Sequence, residues 1–411
     1  MKYQVVILAG GESSRFFPFN NIHKSFFMLD GKSVLEHTIE SVKRTKPADI
    51  ILVLGSKNFD REKEICNASP LFEGVTYACE EKTRGQADAI LSAKEFIKDD
   101  FFVINASQFN FDLLAKSYIE MHESTDLATV GIGKTETPHK YGIVDLEGER
   151  INAVIEKPEK GKEPSNMRIV GVYLFKKEFI SELSKTPISD YSLEVTLDRV
   201  AKNKKVGSVI INGTQPTLKY PWDILSIKDM VLGAKKNKVD RGVVIEKTAV
   251  LKGNGIVIEK GAHIYDFALL EGPCYIGKDA VIGAYCQVRK GTIIGEKAQI
   301  ERYCDVKNSI IGRGTHIHSG FVGDSVIGDD CRIGASFITA NKRLGKESVK
   351  VWIKAEKVDS GLEKLGVFIG SHSSLGIRVS AMPGTVLGER STVFPGMSIK
   401  GTHESDSKIV E

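Results

Sequence analysis

The sequence predicts a two-part chain: an α/β domain over residues 1–235, then a solenoid of short parallel strands over residues 236–411. Three observations lead there. Short apolar runs alternate with amphipathic helical stretches in the first part, aliphatic residues recur every six positions in the second, and a polar Gly-Ala-Lys-Lys-Asn-Lys stretch, Gly233 to Lys238, separates them. With 411 residues and 41% hydrophobic content the chain can bury a core in each part, which excludes a disordered polypeptide.

In the first part, Gln4 to Leu8, Ile50 to Leu54 and Phe101 to Asn105 read as buried strands. Between the first two, Ser33 and Glu36 make a capping-box pattern ahead of Val34, Leu35, Ile39 and Val42, which share one helical face. Gln86 to Lys98 repeats the theme. In the second part, Ile258, Ile264, Leu270, Ile276, Ile282, Val288, Ile294, Ile300 and Val306 follow one another at six-residue spacing. A small residue stands two positions before all but the first: Ala262, Ala268, Cys274, Ala280, Cys286, Thr292, Ala298 and Cys304. Residues two apart on a strand share a face, so each strand points one aliphatic and one small side chain inward. The period shortens, then resumes at Ile369, Leu375, Ala381, Leu387, Val393 and Ile399, with Asn341 to Gly366 left over as a polar loop or arm. A six-residue unit cannot cover its own apolar face, so successive turns must stack.

Charge and cysteine usage narrow the partners. A net charge of +4 is too small for a nucleic-acid surface built by bulk electrostatics, which leaves small molecules as partners and no nucleic acid. The amino terminus runs straight into a strand without a signal core, and no apolar run approaches the ~18 residues of a membrane span, so a cytoplasmic chain with no membrane association is expected. Cys274, Cys286, Cys304 and Cys331 occupy the small inward slot and read as reduced packing residues; Cys66 and Cys79 have no partner at metal-ligand spacing.

Leu8 to Arg15, Leu-Ala-Gly-Gly-Glu-Ser-Ser-Arg, follows the first strand, so the amides of Gly10 and Gly11 are placed to wrap phosphate oxygens, with Arg15 and Lys24 adding charge. An ordinary strand-to-helix connection reads the same way. The run lacks the spacing of a dinucleotide fold or a P-loop. The longer string, Leu8 to Arg15, His23-Lys24, Gly31 to Ser33, Gly85 to Ala89, Lys140 to Val144, Ile155 to Pro158, Gly171 to Tyr173 and Tyr220 to Asp223, resembles the sugar-1-phosphate nucleotidylyltransferases. The Ile-Gly and Leu-Gly steps of the second part resemble the hexapeptide-repeat acyltransferases, whose fold is a left-handed parallel β-helix. A purely architectural solenoid is the alternative. The whole chain is thus similar to the bifunctional N-acetylglucosamine-1-phosphate uridylyltransferase and glucosamine-1-phosphate acetyltransferase family, in its archaeal form. The implied architecture is a Rossmann-like nucleotidyltransferase domain joined to a left-handed β-helix.

The resemblance implies that a sugar-1-phosphate attacks the α-phosphorus of a nucleoside triphosphate (NTP), aided by Mg²⁺. It implies Gly10, Gly11 and Arg15 at the triphosphate, Lys24 near the reacting centre, Gly85 beside the base, and Gly142, Glu156, Lys157 and Gly171 around the sugar. For Glu156 and Lys157 an exposed ion pair at a strand end is the alternative. Two carboxylates that hold metal in the family are replaced by Ser107 and Thr217, so no metal ligand is assigned; Asp112 and Asp223 are the substitutes considered. Ser13, His23 and Glu80 also depart from the pattern, Glu80 standing where the family reads the base with Gln. In the second part, Thr315 to Asp324 resembles the segment carrying the acyltransferase base. There His318 would take a proton from an amino sugar attacking acetyl-CoA. An exposed surface histidine is the alternative, as is a metal-binding pair with His316, for which no nearby Cys completes a site. Asn341 and Lys350 match residues near acetyl-CoA and the sugar phosphate, with Phe321 and Glu347 as departures, and a homotrimer is implied. The competing function is a catalytically degenerate regulatory or scaffolding subunit that binds nucleotide or sugar phosphate.

Overall fold

The computed structural model describes residues 1–122 and 126–410. Contacts group residues 1–12 with 34–216 as one compact unit, and residues 13–33 with 217–411 as a second.

The first unit is built on a mixed sheet of β1 (Tyr3–Ala9), β2 (Asp49–Gly55), β3 (Val75–Glu80), β4 (Asp100–Asn105), β5 (Ala128–Lys134), β6 (Gly142–Glu147), β7 (Arg150–Glu156), β8 (Met167–Phe175) and β9 (Val206–Ile210), in the order β3-β2-β1-β4-β8-β5-β9-β7-β6. The first four strands run parallel and β8 runs antiparallel to both β4 and β5. The apolar runs expected as strands are these strands, extended by a residue at one or both ends. Helices α1 (Val34–Arg44), α2 (Phe59–Asn67), α3 (Gln86–Ser92), α4 (Phe111–Met121), α5 (Phe179–Ser184) and α6 (Ser192–Ala201) belong to this unit. In α1 the residues Val34, Leu35, Ile39 and Val42 are all fully buried, as their spacing predicts. The expected helix 86–98 stops at Ser92, where the amides of Ala93 and Lys94 bond three residues back and close the last turn as a 3₁₀ coil. Because β2 and β3 lie on one side of β1 and β4 on the other, the chain reverses direction between β1 and β4. Parallel α/β sheets bind ligands beyond the carboxyl ends of strands at that point.

The second unit holds α7 (Asp223–Gly233) and a stack of two- to four-residue strands running from residue 238 to 409, arranged as three parallel sheets. This is the stacked solenoid that the six-residue period implies, and the left-handed parallel β-helix that the resemblance to hexapeptide-repeat acyltransferases implies. Register follows the repeat: Ile256 pairs with Cys274 and Cys274 with Thr292, a full coil of three hexapeptides. Every aliphatic and small position of the pattern from Ile258 to Val306 is buried, and Ile369, Leu375, Ala381, Leu387, Val393 and Ile399 rejoin the same core. At roughly 1.5–3 kcal/mol for each buried large aliphatic side chain, this continuous interior is the main force holding the coils together. All six cysteines are free thiols, and the four in the repeat are buried in that core. The arm between the two periodic blocks forms an antiparallel hairpin, Lys350–Ile353 with Glu356–Asp359. Among the described residues no helix is long and apolar enough to cross a membrane.

Candidate functional site

In the first unit the reversal point is lined by the end of β1 and the end of β4, where Leu8 pairs with Asn105 and the Ala106 amide donates to the Leu8 carbonyl at 3.2 Å. Gly10 follows β1, and any Cβ there would run into the carboxyl group of Glu80 at the end of β3. The space over Gly11 is open. Glu80 is only 4% exposed, and burial, reinforced by Asp88, pushes its carboxyl up to about 7. At the end of β4 and just beyond it the side chains are neutral: Asn105, then Ala106, Ser107 and Gln108.

A second cluster gathers around the start of α6. Gly85 adopts φ +93, and a Cβ on it would meet the Asp190 carbonyl oxygen at 2.8 Å, so only glycine fits this close approach. Gly142 pairs with Glu156 across β6 and β7. Lys157 donates to the Tyr191 hydroxyl at 2.9 Å and lies 3.7 Å from a Glu156 oxygen. Glu194, in the first turn of α6, is raised to about 6 by burial, with Glu156 pressing in the same direction; Glu156 is raised by burial and held back by Lys157. Gly171, at φ +77, would meet Asn105 Nδ2 at 2.8 Å with a Cβ, and Tyr173 is buried two residues on. The fold thus brings Gly85, Gly142, Glu156 and Lys157 to the segment 190–194, and Gly171 to Asn105. Tyr191 and Glu194 were missed in the sequence, where nothing in their spacing marks them.

Asp112 is not available as a metal ligand. Arg44 Nε donates to its Oδ2 at 2.7 Å and Ser41 Oγ to its Oδ1 at 2.7 Å, and despite partial burial these bonds hold the carboxyl below its ordinary value. Asp223, in the second unit, commits one of its two oxygens to the backbone: its Oδ2 accepts the amides of Lys219 and Tyr220 at 2.6 and 2.8 Å, fastening the turn before α7.

In the second unit, Ser13 takes a left-handed conformation, φ +55, at the position where a glycine would be at ease, and its Oγ accepts the Lys24 amide at 2.9 Å. Arg15 is exposed and Lys24 half-buried. Burial lowers the Lys24 ammonium pKa, Asp223 opposes this, and Arg15 and Lys219 add to it. His23 is buried, bonded to Ser25 Oγ at 2.7 Å, and pushed down to about 3 by burial and by Lys24.

On the β-helix, Ile317 is buried, so His316 and His318 point outward as the alternation predicts. In the adjoining coil Ile300 pairs with Ile317, which sets Glu301 against both histidines. Glu301 Oε1 lies 2.5 Å from His316 Nε2, and Oε2 lies 3.0 Å from His318 Nδ1. His318 is 58% exposed and borders a groove of about 440 Å³ whose floor includes Ile333, Leu375 and Val393. Asn341 and Lys350 do not line this groove. Asn341 instead donates to Asp324 at 2.5 Å, and Lys350 is exposed at the start of the hairpin.

The nucleotidyl transferase family model matches residues 4–213, and the model described as GMPPB C-terminal domain matches residues 270–411. The bifunctional protein GlmU of Methanococcus vannielii is 33% identical over 98% of this chain and 96% of its own length. The chain belongs to the GlmU family. Another GlmU, from Methanocaldococcus jannaschii, is 32% identical over 98% of the chain and 96% of its own. A bifunctional sugar-1-phosphate nucleotidylyltransferase/acetyltransferase of Sulfurisphaera tokodaii is 32% identical over 95% of each. The two parts that follow different folding patterns in this sequence are therefore collinear with nearly the full length of GlmU-type chains.

Proposed function

We propose that this chain is a sugar-1-phosphate nucleotidylyltransferase and amino-sugar-1-phosphate acetyltransferase, working in the cytoplasm, with a base for acyl transfer retained in its second half and its nucleotidyl transfer slowed. The observation that carries the reading is the pairing of an exposed imidazole with a carboxylate, His318 Nδ1 with Glu301 Oε2 at 3.0 Å. With the Nδ1 proton directed at Glu301, Nε2 is left as a lone pair facing solvent, the form a general base needs. It takes the proton of the attacking amine as the acetyl thioester of acetyl-CoA is cleaved. Asn341 and Lys350 bind acetyl-CoA and the sugar phosphate; as they lie outside the groove of the same chain, a homotrimer in which a second copy brings them to His318 suits this arrangement.

In the first unit, the Gly10–Gly11 turn and Gly85 serve the nucleotide, and Gly142, Glu156, Lys157 and Gly171 the sugar phosphate. In the second, Arg15 and Lys24 supply positive charge to phosphates. The residues present do not suit a firmly held Mg²⁺. Ala106, Ser107 and Gln108 after β4 are neutral, both oxygens of Asp112 are taken by Arg44 and Ser41, and one oxygen of Asp223 is taken by backbone amides. Losing that charge stabilisation slows nucleotidyl transfer by ~10³-fold or more.

Incubation with acetyl-CoA and amino-sugar-1-phosphates should give N-acetylated product, and His318→Ala should reduce its rate by about 10²–10⁴-fold. Pyrophosphate release from NTPs and sugar-1-phosphates should be slow in the same preparation. Fast pyrophosphate release would overturn the metal argument, and absence of both products would favour a regulatory subunit.

A further inference from the structure

We propose that Glu301, His316 and His318 form a binding site for a divalent transition-metal ion of the zinc class on the outer face of the β-helix. Two imidazole nitrogens and one carboxylate oxygen, each from a different side chain, lie within 4.8 Å of one another. A His-x-His pair on one coil is two ligands short of a closed tetrahedral site, and sequence spacing supplies no third. The third comes from the preceding coil, because parallel stacking sets Gln299 opposite His316 and Ile300 opposite Ile317. Two nitrogens and one carboxylate with an open fourth position is the ligand set of zinc sites that keep a place for water or substrate. Glu301 and His316 are half-buried and His318 is exposed, so the open side faces solvent.

The donor set also selects the ion. Imidazole nitrogen suits zinc, copper, nickel and cobalt, whereas magnesium demands oxygen ligands and keeps its water. One opposing charge is close at hand: Arg332 pairs with His316 on the next coil, though its guanidinium is turned to the Gly314 carbonyl, 3.4 Å away. The carboxylate bonds now made to the two imidazoles would be exchanged for bonds to the metal. Since Glu301 Oε1 and Oε2 already sit 2.5 and 3.0 Å from the two nitrogens, small side-chain rotations suffice.

A consequence for acyl transfer rests on the reading of His318 as base. A neutral imidazole has one lone pair. If Nδ1 spends it on the metal, the proton moves to Nε2, and the nitrogen facing the substrate becomes a donor that accepts no proton. Zinc occupancy therefore switches acetylation off by exchanging the tautomer of His318.

The test uses the full chain, stripped with a chelator and dialysed, then titrated with Zn²⁺ by calorimetry and with Co²⁺ by its visible absorption. The expected result is one high-affinity site per chain, weakened about tenfold or more by His316→Ala and by Glu301→Gln. Cys79→Ser serves as the control for the exposed thiol and should bind as the parent does. His316→Asn, which keeps size and polarity, guards against a folding defect, and circular dichroism checks every variant. Equal affinity in parent and His316 variants, or no saturable binding, overturns the site. In the second arm the N-acetylated product is measured, since zinc also captures the free thiol of coenzyme A. The ratio of rates with and without Zn²⁺ should fall well below one in the parent, recover with chelator, and approach one in His316→Ala. Tight, His316-dependent binding with no effect on product formation would uphold the site and refute the assignment of His318 as base.

Discussion

Glu80 offers the sharpest physical test of the first unit, because replacing it by Gln changes a proton and little else. Its carboxyl is 4% exposed beside Gly10 and raised from 4.5 to about 7. The folded chain therefore keeps a proton that the unfolded chain has already lost between those two values. Stability from this group is fully present below about pH 4.5 and declines as pH climbs toward 7. A shift of that size corresponds to roughly 3 kcal/mol, an upper bound because the surrounding groups relax around the buried charge once it forms. Glu80→Gln carries no such proton, so it should match the parent near pH 4.5 and exceed it by up to ~3 kcal/mol above pH 7. Helices α1 to α6 belong to the first unit, whereas Trp222 and Trp352 belong to the second. Among the described residues α7 is the one α-helix of the second unit, so the helical part of the far-ultraviolet circular dichroism follows mainly the unit that contains Glu80 during urea unfolding, and tryptophan fluorescence follows the other. A constant difference between the two proteins at all pH values, or a less stable Gln variant at pH 8, would refute the reasoning.

Other substitutions test separate links. Ile294→Ala empties a fully buried position in the middle of the stack and should cost ~2–5 kcal/mol, read by tryptophan fluorescence during unfolding. Gly85→Ala forces a side chain into φ +93 and against the Asp190 backbone at 2.8 Å, and should cost about 1–3 kcal/mol together with a raised KM for the nucleotide. Asp112→Asn weakens the pairing with Arg44 and should lower stability by about 1 kcal/mol while leaving the Mg²⁺ dependence of pyrophosphate release unchanged; an altered dependence would restore Asp112 as a metal ligand.

What the sequence determined by itself is the division into two folding styles and the inward face of every coil. Aliphatic and small residues at a fixed period specify direction locally, since neighbouring turns repeat the same backbone geometry, and nothing distant is needed to decide that Ile282 or Cys286 points inward. The outward aim of His318 was legible for the same reason, and the Gly10–Gly11 turn from its place directly after an apolar strand. Only the tertiary structure decided which polar groups meet. Glu301 reaches His316 and His318 because one coil lies on the next in a particular register, Glu80 meets Gly10 because β3 and β1 end on the same edge, and Glu194 joins Glu156 through the placement of α6. Asp112 was lost to Arg44 and Ser41 in the same way, across a contact of α4 with α1. Apolar burial is non-directional and tolerates any register that keeps the pattern, so periodicity encodes it; a hydrogen bond or ion pair needs two atoms within about 3 Å, and that distance is set by chain crossings that no spacing along the sequence records.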